Sequence, residues 1–574
     1  MSIFKAAACF SLAAFSVLVR PGLCLGGAEA LRASGNAFSL PMPAKPLPYA
    51  LPGKPLAGRA GTPLPPEVAA KLPELGIALD GWDLLRIEEV YNFWRQAGPA
   101  LWPGVTGIET TPIELVFPKK YDVLIGHPRP PSDCRPFSDR LPAERFCYRL
   151  NRSLSHSSET KPVNGVSTVL LHTLGSMDEY GAQSMATPGY RYDYLANAAT
   201  HDHELFHAFQ YREQEQLPKD PDSPGVSRTD YPSTNPELNM LLGVEARVLA
   251  DALDASGPAL AELVKDLLAL RAERYSRLTP GARRAAGHTE LIEGTAQYIS
   301  YSVRSGFQPG LAPLPETFSD PRFAGYSGRD AVGEALKPVL KMLHRSQVVN
   351  SCAFAYHSGA ALAFTLDRLD PGWKDGLFRT CSGKDCSLDT LLGRRVQADN
   401  TAERLARVLA RYDAPALLAE TRAELAELLA KNRKLIEDFR ALPGRRYRLV
   451  FPGTPADGVG LVAPARLAEY GDERLFLDGC YGVQYARGFH SYDVDARISA
   501  PVLMNVASGE VELVLPVSGP AWPEIKAGRV YQSGVWTVYE EGVSVGGGVF
   551  KWNGDRLAVS ERDGEITLAF YPKL

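Results

Sequence analysis

The spacing of apolar residues changes character along this chain. From Gly81 onward Leu84, Leu85, Ile87, Val90 and Tyr91 recur at helical spacing and predict a helix. Then the period shortens. The segments 113–117, 121–125 and 167–174 are short β-type runs set off by Pro, Asp and Ser, and the alternation of Tyr190, Tyr192 and Tyr194 suggests a further strand. From Ala198 to about Leu442 the pattern is helical, broken by a proline-rich polar loop at 217–236 and again at 306–325. The stretch 405–439, rich in Ala, Leu, Arg and Glu, reads as one packed amphipathic helix or a pair. After about residue 446 the helical period is gone. Runs at 448–451, 511–515, 535–539 and 566–571 are β-like, with Gly and Pro between them, and predict a separate β-domain of the sandwich type.

The N-terminal eighty residues carry neither period for long. Lys5 precedes an apolar run over 6–19, interrupted by Ser11 and Ser16, and Ala28-Glu29-Ala30 offers small residues for cleavage. This is the layout of a secretory signal peptide over 1–30, and the run is shorter than the ~20 residues a membrane span needs. Residues 31–80 read as a proline-rich leader or spacer, in which Pro41 through Pro66 work against regular structure. Export would permit disulfides. Of the cysteines beyond the signal, Cys134 with Cys147 and Cys381 with Cys386 are the closely spaced pairs, while Cys352 and Cys480 stand apart. No later segment is apolar enough to span a membrane. A hydrophobic share of 45% indicates a folded chain, and a net charge of −4 offers no basic surface for a nucleic acid.

One constellation carries chemistry. His203-Glu204-Leu205-Phe206-His207 lies in the helical pattern, so its histidines sit one turn apart on one face. Two imidazoles so placed can bind one Zn²⁺ at about 2.0–2.1 Å each. Glu204 is then positioned as general base toward water on that zinc. His201, two residues from His203, points to a different face. A catalytic zinc needs a third protein ligand, and three carboxylates compete for the role. Glu290 and Glu293 are three apart in Glu290-Leu-Ile-Glu293-Gly-Thr-Ala-Gln-Tyr298, and Glu245 lies nearer in sequence to His207. Glu290 is alternatively a partner that orients a ligating histidine. Outside such roles, Glu245 and Glu290 are expected to be exposed helix carboxylates. Gly542-Val-Ser544-Val-Gly546 matches an esterase pattern, but it has β flanks on both sides and no histidine after His490, so it reads as a glycine-rich turn.

H-E-x-x-H followed by E-G-x-A-x-Y resembles the gluzincin metallopeptidases, above all the aminopeptidase N type. The resemblance implies that Glu293 is the third zinc ligand. Tyr356-His-Ser-Gly359-Ala360 is similar to that family's Y-x-K-G-A segment, which implies that Tyr356 stabilises an oxyanion; without that role Tyr356 is an ordinary core aromatic. The likeness covers about 170–370 in patches. It departs from the family in the 85 residues between His207 and Glu293, in lacking a convincing G-A-M-E-N segment, and in His357-Ser358 replacing x-K. The resulting expectation is an α+β chain. Residues 81–445 form a zincin-like catalytic region, β-rich over 110–195 and helical over 198–445, and 446–574 form a β-sandwich-like domain. The expected function is that of an exported zinc-dependent hydrolase acting on peptides or proteins. Alternatives are a catalytically silent binding or scaffold protein of the same shape, and a zinc hydrolase of non-peptide amides or esters.

Overall fold

The structure is a computed structural model. It describes residues 63–117, 120–150, 158–178, 194–214, 234–305, 313–323, 335–341, 351–380, 387–397, 401–450, 459–462, 467–477, 482–487, 490–494, 496–498, 500–505, 508–515, 524–546, 550–562 and 564–571. The expected signal peptide, most of the expected spacer, Tyr190, Tyr192 and the pairing of Cys381 with Cys386 lie outside these residues.

Proline opens the described chain without breaking it. Pro65 is the N-cap and Pro66 the first residue of α1 (Pro66–Leu75), where a missing N–H costs no hydrogen bond. Val68, Leu72 and Leu75 bury one face, and Gly76 ends the helix at φ +64°. The expected spacer thus gives way to a docked helix from residue 66. Helix α2 (Gly81–Leu101) starts where its period predicts, capped by reciprocal hydrogen bonds between Asp80 and Asp83.

Six strands follow: β1 (Ile113–Val116), β2 (Tyr121–Ile125), β3 (Arg135–Pro136), β4 (Phe146–Leu150), β5 (Glu159–Val163) and β6 (Val166–Leu171). They form one sheet in the order β3-β4-β2-β1-β6-β5, antiparallel except for β1 beside β6. Asn164 and Gly165, both at positive φ, make the tight turn between β5 and β6. That turn leaves β5 at the end of the sheet. A disulfide joins Cys134 to Cys147 on β4, as the spacing suggested.

The helical region contains α3 (Tyr194–Gln214), α4 (Pro236–Ala252), α5 (Gly257–Ser276), α6 (Pro280–Ser305), α7 (Ser351–Leu369), α8 (Leu377–Thr380), α9 (Leu388–Arg395), α10 (Ala402–Arg411) and α11 (Ala414–Arg440). Tyr194 begins α3 and is not part of a strand, because the apolar period of Tyr194, Ala196 and Ala199 belongs to a buried helix. Helix α3 packs against β5 and β6 on one side and α6 on another. None of the described helices is long and apolar enough to cross a membrane.

Helix α11 spans two environments. Leu417 joins the main core, whereas Ile436 and Phe439 pack with Leu475, Leu503 and Val514 of the C-terminal strands. Those strands begin with β7 (Arg445–Val450), which lies parallel to Glu565–Tyr571 and antiparallel to Val511–Leu515. Among the described residues, the C-terminal strands form one eleven-stranded sheet and a separate three-stranded one. Leu449, Met504, Leu513, Val545 and Leu568 share its apolar cluster. The G-x-S-x-G match lies inside the strand Trp536–Gly546.

The Cys134–Cys147 bridge closes a loop with a sequence separation of 13. Replacing both cysteines by serine should lower unfolding free energy by about 2–3 kcal/mol. A thermal melt of this variant beside the parent checks it, and equal midpoints would show the bridge to be dispensable.

Candidate metal centre

Helix α3 is buried on nearly every face, so its polar side chains must find partners inside the protein. Phe206 anchors one side. Its ring stacks on Trp94 at 6.2 Å and meets Trp102 edge-on at 4.8 Å. That packing sets the rotation of the helix and leaves His203, Glu204 and His207 to other neighbours.

Helix α6 lies antiparallel to α3 and is tied to it at both ends. Ser300 Oγ donates to Ala199 O at 2.9 Å. A helix-length away, Gln210 Nε2 donates to Ile292 O at 2.9 Å and to Thr295 Oγ1 at 2.7 Å. Between these ties Glu293 is carried to the two histidines. His207 Nε2 is 3.0 Å from His203 Nε2 and 3.0 Å from Glu293 Oε2, and His203 Nε2 is 3.4 Å from Glu293 Oε2. A tetrahedral ion with bonds of 2.0–2.1 Å holds its ligand atoms about 3.3–3.4 Å apart. The triangle therefore has the size of one face of such a tetrahedron. This is the one group among the described residues whose donor atoms converge as a metal would require.

The electrostatics fit that use. Burial pushes His203 down to about 4, which keeps its imidazole neutral and able to ligate. Burial alone would raise Glu293, but the charge on His207 and hydrogen bonds from both histidines hold it well below the usual carboxylate range. Burial, with Glu293 and Glu159 as neighbouring negative charges, pushes Glu204 up to about 8. Thr160 on β5 lies against this carboxylate. Its Oγ1 donates to Glu204 O at 2.6 Å and is 3.2 Å from Glu204 Oε2. The outermost strand of the sheet is thus fastened beside Glu204.

Helix α7 crosses α6 at two glycines. A Cβ on Gly294 would fall 2.5 Å from Gly359 Cα, and one on Gly359 would fall 2.5 Å from Glu290 O. Hydrogen is all the crossing has room for. The E-G-x-A and Y-x-x-G-A segments are the two sides of this contact. The crossing sets the buried Tyr356 ring parallel to that of His203, with centroids 5.8 Å apart.

The rival carboxylates are buried, contrary to the expectation of exposed positions. Each is neutralised by arginine from α5. Arg271 makes two bonds of 2.7 Å to Glu290 and one ion pair of 2.6 Å to Glu245, and Arg274 Nε donates to Glu245 at 2.9 Å. Ser358 Oγ also donates to Glu290 Oε1 at 2.5 Å. Neither is brought to the histidines, and Glu290 orients no ligating ring. His201 is buried outside the triad, and desolvation pushes it down to about 4.

Gln210 and Thr160 escaped the sequence reading. Gln210 follows His207 by three residues, which is a legible signal for a shared helix face. Thr160 carries no such mark, since only the folded sheet brings it to Glu204.

Gly294→Ala and Gly359→Ala should each destabilise the protein by about 1–3 kcal/mol, because a methyl group must separate packed backbones. Thermal denaturation measures this; melting points within a degree of the parent would mean that the crossing relaxes freely. Comparison with protein-family models, with curated proteins and with solved structures finds no match to this chain.

Proposed function

We propose that this chain is a zinc-dependent peptidase in which His203, His207 and Glu293 hold the metal. The observation that carries the reading is the convergence of three buried donors, with a fourth buried carboxyl group, Glu204, next to His203 on the same helix. When bound, zinc supplies Lewis acidity, which acidifies water and polarises a carbonyl. The protein's own groups do the rest. Glu204 takes a proton from the attacking water onto its carboxylate and returns it to the leaving amine. Tyr356, held against His203, offers its phenol to the developing oxyanion.

The unpaired edge of β5 supports peptides as the substrate class. Its outer edge pairs with no described strand, while Thr160 fixes the strand to Glu204. An extended peptide can add to such an edge through main-chain hydrogen bonds, with its backbone laid along the site. A small amide or ester has no use for that ladder, so the geometry favours peptides. The order of motifs along the chain, and their placement on three contacting helices, support the likeness to gluzincins. The Cys134–Cys147 bridge supports export to an oxidising compartment.

Purified protein should contain one zinc per chain and cleave a peptide library. Glu204→Gln should retain the zinc and lose cleavage by a factor on the order of 10²–10⁴. His207→Ala should lose both. Metal analysis and peptide mass spectrometry together decide. Protein without zinc, or a Glu204→Gln variant that cleaves normally, would sink the mechanism.

A further inference from the structure

A histidine can give a metal only one ring nitrogen, and the proton it keeps must sit on the other. For His207 the converging nitrogen is Nε2, so the retained proton belongs on Nδ1. Nδ1 faces Gln210 Oε1 at 2.6 Å. The orientation of that amide is forced. Its other end meets Ile292 O, which can only accept, so the nitrogen points there and the oxygen points at the ring. Thr295 Oγ1 supports the same nitrogen at 2.7 Å, while its own proton goes to Leu291 O at 2.6 Å.

The competing arrangement is equally plain. With the proton on Nε2, His207 donates to Glu293 Oε2 at 3.0 Å, and two of the three metal donors satisfy each other. We infer that Gln210 is a positioning residue that decides between these forms, locking His207 into the metal-binding tautomer through an amide whose orientation is set by α6. This rests on the reading of the triad as a metal site, but not on its being a peptidase. The same side chain holds α3 to α6 one residue before Glu293, so tautomer and helix register are fixed together.

The test is zinc affinity of the full chain, measured by competition with a chromogenic chelator on metal-stripped and reloaded protein. Gln210→Leu removes the acceptor, and its affinity should fall by about 10–100-fold. Gln210→Glu keeps an acceptor for the Nδ1 proton and should stay within a few-fold of the parent. The inference is overturned by Gln210→Leu binding zinc as tightly as the parent, or by both variants losing it equally, which would make the helix contact alone responsible. Should Gln210→Leu fail to fold, the ring-nitrogen NMR shifts of His207 in the metal-stripped parent decide, since a proton on Nε2 with a bare Nδ1 refutes the lock. A parent that binds no zinc refutes the inference as well. Tight zinc binding without cleavage of any peptide would end the peptidase reading and leave the tautomer lock standing.

Discussion

A carboxylate buried among helices has to be neutralised, and the helical region meets that demand in two different ways. Glu245 and Glu290 are neutralised permanently by Arg271 and Arg274. Glu293, one helical turn beyond Glu290 on α6, is given two imidazoles instead. An arginine stays protonated and has no lone pair to offer, whereas an imidazole can lose its proton and present a nitrogen to a cation. The placement of guanidinium against imidazole therefore separates a structural ion network from a group that could hold a metal ion. The two kinds of site sit side by side, and the first stiffens the helix that carries the second.

That stiffness is shared among several contacts. Helix α3 is fixed by aromatic packing at Phe206, α6 by its ties to Ala199 and Gln210, and α7 by the glycine crossing. Each contact uses a different part of its helix, and together they bring His203, His207 and Glu293, which could hold a metal ion, into one group. Helix α11 extends the framework. At 1.5 Å per residue it reaches about 40 Å, with Leu417 in one core and Phe439 in the other.

How much of this is written locally explains what was legible. The His203–His207 spacing is a property of a single helix, so the sequence displays it directly. Glu293 was legible through its neighbours Gly294, Ala296 and Tyr298, and its own side chain offers no signal that sets it apart from Glu290. The burial of Glu245 and Glu290 was missed because their partners lie on another helix, and a carboxylate looks exposed until its arginine is found. Strand β5 was missed for a related reason. Glu159-Thr-Lys-Pro-Val163 shows little alternation, and Pro162 is tolerated there because the strand is at an edge. In the C-terminal part, alternation located strands but not their order, which depends on hydrogen bonds between distant segments. The helix at 66–75 was hidden by its prolines, of which Pro65 and Pro66 are harmless because they stand at its start.

The meeting of Gly294 with Gly359 has a consequence for how this chain can change over generations. Every single-codon replacement at either position adds at least one carbon to a contact that has space for none. No change at the partner position relieves it, because a glycine already stands there and the clash is with backbone, so relief would require a shift of a whole helix. Two short segments that look independent in the text of the gene are therefore one heritable unit. A lineage can reshape the long stretch between them more readily than it can alter either glycine alone.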